Sequence, residues 1–424
     1  MLAGIIAAVV IAVILIAAFL WICLKNPDKN RLQTIENCTG FVRAYGRNLY
    51  DGQGRILKLV GVNLGNWLVQ EVWMAVSAIG NFDTGIYTQT RGLAAMKANP
   101  NLSDNDIENL EKLYIDSYIT EDDFKIISSL GLNCVRVNFT YLTLTDGDKL
   151  KKDAFEKLDW VIDQCSKNGL YAILDLHGAR GSQNMDIHSG SDADFDLFPN
   201  AENRAHTIWL WREIAKRYRS NTTVAAYDLL NEPRRAPYKF SGKAQFDFYD
   251  ELYRAVREED KNHLIMMECF TFPTHGVSPK KYGWLNVAYS YHIYNLAPVT
   301  QKMCLYFYRA LTNLKGYNVP IIVGEWNAWN KFGDWQKSMD FFDRSGWSYI
   351  TWTYKTNKYL YKKRKDRTAY CWGVFELDMP PVDLSSATYD EIASVWGAVS
   401  TADAIKSLVY VVYMSRFGGK DGDK

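Results

Sequence analysis

Short apolar runs recur along this chain, separated by stretches with helical spacing. The runs centre on Gly61-Val62-Asn63, Cys134 to Asn138, Tyr171 to Leu176, Ala225 to Leu230, His263 to Cys269, Asn286 to His292, Pro320 to Glu325 and Trp347 to Trp352. Near-continuous apolar runs mark strands buried on both faces. Asp153 to Lys167 is one of the intervening stretches, with Phe155, Leu158, Val161, Ile162 and Cys165 on one helical face. Strands alternating with amphipathic helices specify a parallel sheet. Eight such units with no second pattern predict one closed (β/α)8 barrel of α/β class.

The same pattern locates the remaining parts. Val42 to Tyr45 and Arg55 to Val60 flank Asp51-Gly52 and predict a hairpin ahead of the first barrel strand. Glu71 to Thr120 is too long for a plain βα connection and predicts a loop-and-helix insertion over the mouth. The tail after Ser385 predicts one or two helices, of which Leu408 to Met414 is too short to span a membrane.

Met1 to Leu24 is apolar with no charged side chain. As a helix it would span roughly 35 Å, enough to cross a bilayer. A cleaved signal peptide is the competing expectation, but no basic region precedes the segment and no small-x-small site precedes Lys25. The expected division is therefore an anchor at 1–24, a polar linker at 25–35, the barrel domain at 36–417 and a disordered tail at 418–424. Lys25, Lys29 and Arg31 favour keeping the domain on the cytoplasmic side, although long domains are translocated largely regardless of charge. Sequons stand at Asn37, Asn101, Asn138 and Asn221.

Composition narrows the chemistry. The formal net charge is +1, which gives no pull toward nucleic acid. The 7 Cys show no paired spacing, so neither a disulfide framework nor a zinc site is expected, and Cys134 and Cys165 read as buried small apolar residues. With 14 Trp, the chain has indoles to spare for stacking on sugar rings, even if more than half fill the core.

Two carboxyls carry the chemistry. Ala225 to Leu230 runs into Asn231-Glu232-Pro233, and Pro320 to Gly324 runs into Glu325-Trp326. Barrel enzymes place their reacting groups at the C-terminal ends of strands. Glycosidic cleavage needs two carboxyls, one to protonate the leaving oxygen and one to attack or to activate water. The plain alternative is that each Glu caps a strand or pairs with an Arg. Other strand ends supply matching groups: Arg136 to orient a carboxylate, His177, Asn231 to bond a sugar hydroxyl, His292, Tyr294, and Trp352 to lie under the sugar.

In this ordered series the chain resembles glycoside hydrolase family 5 over roughly Val42 to Ala398. The resemblance rests on Gly61-Val62-Asn63-Leu64-Gly65-Asn66-Trp67-Leu68, Val135-Arg136-Val137, Leu174-Asp175-Leu176-His177-Gly178, Leu230-Asn231-Glu232-Pro233, Tyr291-His292-Ile293-Tyr294, Gly324-Glu325-Trp326 and Thr351-Trp352-Thr353. It implies Glu232 as acid/base with a raised pKa, and Glu325 as nucleophile. It implies Arg136, His177, Asn231, His292, Tyr294 and Trp352 as the supporting shell. It implies retaining hydrolysis of β-linked glucans or β-glucosides without metal or organic cofactor. His177 to Asn184 is similar to the stretch in exo-1,3-β-glucanases, but Arg180 stands where a Pro is usual and Met185-Asp186-Ile187-His188 differ, so linkage stays open.

The expected protein is a monomeric, single-pass membrane enzyme whose partner is an oligo- or polysaccharide, with the catalytic domain outside because a polymer is found there. Two alternatives are a hydrolase of a lipid-linked β-glucoside and a catalytically silent carbohydrate-binding protein. For the first, Lys362-Lys363-Arg364-Lys365 with Arg367 would dock the mouth on anionic headgroups.

Overall fold

A computed structural model describes residues 34–36, 39–71, 73–80, 88–191, 195–234, 242–269, 273–294, 298–328, 332–359 and 371–418, with four isolated positions at 14, 17, 18 and 21. Eight parallel strands close a barrel: β1 (Val60–Asn63), β2 (Cys134–Thr140), β3 (Tyr171–Gly178), β4 (Val224–Asp228), β5 (Leu264–Glu268), β6 (Val287–Tyr294), β7 (Ile321–Asn327) and β8 (Ser348–Thr351). Each pairs with its sequence neighbours, and β8 returns to β1. These strands are buried almost throughout, which is why they read as continuous apolar runs.

Helices surround the barrel. Glu156–Lys167 buries Leu158, Val161, Ile162 and Cys165 as its spacing predicts. Asp104–Tyr118 starts at a capping box in which Ser103 and Asp106 satisfy each other's backbone N–H groups. With Gln89–Ala98, it forms the expected insertion after β1. The tail contributes Tyr389–Trp396 and Leu408–Phe417. The latter buries Val409, Val412 and Tyr413, and Arg416 bonds Asp340 at 2.9 Å. Among the described residues eight Trp are buried: Trp67, Trp211, Trp284, Trp326, Trp335, Trp347, Trp352 and Trp396.

The hairpin expectation needs correction. Val42 to Tyr45 does not pair with Arg55 to Val60. Arg43–Tyr45 pairs antiparallel with Asn48–Tyr50, which in turn pairs with Ile56–Leu57 across the Asp51-Gly52 turn. The first turn is Gly46-Arg47, with Gly46 at φ +58°, a conformation glycine adopts without cost. This three-stranded sheet floors the barrel: Val42 and Leu49 pack with Leu59, Ile173, Leu264, Ala288, Ile322 and Ile350.

Among the described residues, no helix is long and apolar enough to cross a membrane. Met1 to Leu24 lies almost wholly outside the described residues, as do the linker up to Gln33, the basic run at 362–367 and the tail from 419.

Candidate active site

Pairing register brings the polar residues together. Asn63 sits beside Arg136, Asn138 beside Asp175, Asp175 beside Asp228, and His292 beside Glu325. Residues two apart on a strand share a face, so His292 and Tyr294 both point into the barrel mouth. All eight predicted site residues, Arg136, His177, Asn231, Glu232, His292, Tyr294, Glu325 and Trp352, converge there.

Arg136 is fully buried at the centre. Its guanidinium donates to Glu325 Oε1 and Asn231 Oδ1, each at 2.9 Å, and to Asn63 Oδ1 at 3.0 Å. Four carboxyls lie within ion-pair reach of this one cation: Asp175, Asp228, Glu268 and Glu325. Burial raises Asp175 to about 6 and Asp228 to about 7, against the pull of Arg136. Burial likewise drives His177 well below its ordinary value, so its ring is neutral. His177 Nδ1 then donates to Asp175 Oδ2 at 2.7 Å, and Nε2 accepts from Asn231 Nδ2 at 3.3 Å. Asn231 is thereby fixed at both amide atoms.

Glu325 is 4% exposed and accepts from Tyr294 at 2.6 Å as well as from Arg136. Gly324 before it is required by close approach. A Cβ there would stand 2.5 Å from Ser290 Oγ and 3.1 Å from His292 Nε2. Trp352 stacks on His177 with ring centroids 5.4 Å apart.

Glu232 differs. It has φ +42°, the left-handed region that non-glycine residues enter only when their surroundings hold them. Two amides from the loop after β3 do the holding: Gln183 donates to Asn231 O at 2.9 Å and Asn184 to Glu232 O at 3.1 Å. The Glu232 side chain is 32% exposed to the cleft. Its Oε1 lies 2.6 Å from His292 Nδ1 and its Oε2 3.3 Å from His188 Nε2. Burial alone would raise Glu232, but the two imidazoles outweigh it and hold the carboxyl well below the usual range. This corrects the expected raised pKa: in the free cleft, Glu232 is a carboxylate facing two imidazoles. Those rings respond in kind, since the facing carboxylates outweigh burial and raise both His188 and His292.

Several functional groups went unread in the sequence. Glu268 ends β5 as Glu325 ends its own run, so the same strand-end signal marked it. Asp175 lies inside the Leu174 to Gly178 motif and Asp228 inside the apolar run Ala225 to Leu230. Glu71, in the insertion, had no signal: burial raises it to about 7, and Trp73 donates to it at 2.7 Å. Trp73 in turn packs on Trp372, with centroids 4.6 Å apart. Asn138, one of the sequons, is fully buried and bonds Asp175, which closes it to glycosylation.

Ligating atoms of Glu232, His292 and Glu325 lie within 4.8 Å of one another, so these three are the described residues that could hold a cation. Tyr294 and Arg136 already donate to Glu325, and His292 Nδ1 faces Glu232 Oε1 at 2.6 Å.

The description "Cellulase (glycosyl hydrolase family 5)" matches residues 93–358. A beta-xylosidase of Phanerodontia chrysosporium is 33% identical over 264 residues, 60% of this chain and 52% of the relative. A glucan 1,3-beta-glucosidase of Blumeria graminis is 31% identical over 287 residues, 64% of this chain and 65% of the relative. The chain thus matches between about half and two thirds of the length of these relatives. A rutinosidase crystal structure from Aspergillus niger superposes with TM-score 0.55 at 17% identity, covering 70% of this chain and 90% of that one. An endogalactoceramidase structure superposes with TM-score 0.56 at 17% identity, covering 85% of each. These two likenesses concern the fold. The match across most of the barrel, together with the strand-end residues above, places the chain in glycosyl hydrolase family 5.

Proposed function

We propose that the protein is a retaining β-glycosidase acting on β-linked glucans or β-glucosides. The observation that carries this is the spacing of the two carboxyls: an oxygen of Glu232 and one of Glu325 lie within 4.8 Å. Retaining enzymes hold the pair about 5–5.5 Å apart, whereas inverting ones leave about 6.5–9.5 Å for a water.

Glu325, oriented by Arg136 and Tyr294, bonds the anomeric carbon as the glycosidic C–O bond breaks. Glu232 delivers a proton to the departing oxygen. A water then replaces Glu325 at the same carbon and gives its proton to Glu232. No metal or organic cofactor enters this scheme. Asn231 can meet the sugar 2-hydroxyl beside the reacting carbon, and Trp352 supplies an apolar face. The relatives' names, a glucan 1,3-beta-glucosidase and a beta-xylosidase, support a β-linked sugar as substrate.

Proton NMR of the first product formed should show the β anomer. An α anomer formed first would overturn the mechanism.

The anchor is proposed with it: Met1 to Leu24 spans the membrane and the barrel lies outside, where a polymeric glucan is found. Protease treatment of intact cells should release the barrel domain. Protection of that domain until lysis would refute an external barrel.

A further inference from the structure

Glu268 has no part in the scheme above, yet it holds Glu232 at two points. It is 2% exposed at the end of β5. Its Oε2 accepts the backbone N–H of Glu232 at 2.9 Å, and its Oε1 lies 3.0 Å from His292 Nε2. His292 Nδ1 reaches the Glu232 carboxyl at 2.6 Å. The contacts close a ring that runs from the Glu232 backbone, through Glu268 and His292, to the Glu232 side chain. Arg136 Nη2 also faces Glu268 Oε1, at 3.4 Å.

We propose that Glu268 is a positioning residue for Glu232: acting through His292, it keeps hydrogen on Nε2 and leaves Nδ1 to exchange a proton with the Glu232 carboxyl. The proposal rests on the glycosidase reading.

The hydrogen-bond inventory carries the argument. Both Glu268 oxygens face donors: a backbone N–H on one, an imidazole and a guanidinium on the other. A carboxylate, with no hydrogen of its own, meets donors at both oxygens. With Nε2–H facing Glu268 Oε1 at an ion-pair distance of 3.0 Å, one proton remains on the line from Nδ1 to Glu232 Oε1. On Nδ1, it makes His292 a cation and Glu232 a carboxylate, the arrangement of the free cleft. On Oε1, it makes His292 neutral and Glu232 an acid. Neither placement disturbs the bond to Glu268. During cleavage the Glu232 O–H bond breaks as the proton joins the departing oxygen, and water restores it in the second step.

The surroundings fit this role. The groups facing Glu268 are Arg136 from β2, Asp228 and Glu232 from β4 and its end, Tyr249 from helix Gly242–Glu259, and His292 from β6. Burial pushes Glu268 up to about 7, against the pull of His292 and Arg136. A carboxylate at that depth persists only while its donors remain in place.

Glu268→Gln separates the possibilities. An amide has one acceptor oxygen, so one of the two bonds to the Glu232 ring must be lost. The variant should lose about a hundredfold in kcat/KM on an alkyl β-glucoside, whose leaving oxygen needs a proton, and change by about threefold or less on 2,4-dinitrophenyl β-glucoside, whose leaving group does not. Glu268→Asp, which keeps the charge, should recover part of the alkyl glucoside rate. Equal losses on both substrates would overturn the proposal and leave Glu268 a packing residue. Glu232→Ala is run in parallel: absence of leaving-group dependence there sinks the glycosidase reading itself, whereas its presence there and absence in Glu268→Gln sinks only this inference. If Glu268→Gln does not fold, nitrogen-15 NMR of the wild-type protein decides. His292 should carry hydrogen on Nε2 throughout, and a neutral Nδ1–H tautomer would refute the role.

Discussion

Glu325 and Glu232 are chemically identical side chains made different by their neighbours. Arg136 and Tyr294 both donate to Glu325 and orient it, so Glu325→Ala should abolish turnover, and azide should restore it as an α-glycosyl azide, detected by NMR. Glu232→Ala should slow alkyl glucosides by about 10²–10⁴-fold and spare activated aryl glucosides, measured as kcat/KM. Glu71 offers a test of electrostatics without chemistry. Its folded pKa, about 7, exceeds the ordinary 4.5 because burial opposes its charge. The native state therefore keeps a proton that the unfolded chain has already lost. Its contribution to stability is intact below 4.5 and declines as pH rises toward 7. Glu71→Gln should remove that decline and gain about 1–3 kcal/mol on the wild type at pH 8 relative to pH 4, read by urea denaturation at the two pH values. An equal difference at both would show that Glu71 keeps an ordinary pKa.

At the scale of elements, strand ends were legible and the spaces between strands were not. The eight apolar runs announced the barrel because a strand buried on both faces must be apolar at every position except where it reaches the mouth. Those exceptions, Arg136, His177, Glu232 and Glu325 among them, stood out as polar residues closing apolar runs. Glu268 closed its run in the same way, but only register shows that it meets His292. Glu71 and His188 come from connections whose path no periodicity encodes, and they reach the site through tertiary packing alone. The pKa of Glu232 failed for the same reason: its sign depends on two imidazoles, one of them His188. Gly324 shows how tight the meeting of β6 and β7 is. Gly324→Ala should cost about 1–3 kcal/mol of stability through crowding. It should also displace His292, which sits 3.1 Å from the added methyl position, so the loss of kcat/KM should be greater on alkyl than on dinitrophenyl glucosides. A stability loss with identical effects on both substrates would mean that His292 does not move.

At the scale of the molecule, the tail completes the barrel wall. Helix Leu408–Phe417 buries Val409, Val412 and Tyr413 and ties Arg416 to Asp340 and Asp343. Lys355, beyond β8, is fully buried and donates to Val399 O at 2.7 Å and Thr401 Oγ1 at 2.9 Å, tying the preceding segment to the barrel as well. Removal of residues 408–424 should destabilise the protein by about 3 kcal/mol or more, since three large apolar side chains lose their burial. Urea midpoints of the full and shortened chains would measure it, and unchanged midpoints would show the helix to be an ornament of the fold.

The floor sheet has a consequence for how the protein stands. Ile35 donates its backbone N–H to Gly54 O at 2.8 Å, and Thr34 bridges Arg55, so the chain enters at the floor turn. The reacting carboxyls sit at the opposite end, above the C-terminal edges of the strands. Thr34 and Ile35 therefore lie at the end of the barrel away from the cleft. Anything attached at Thr34 sits at the closed end and leaves the mouth of the cleft uncovered.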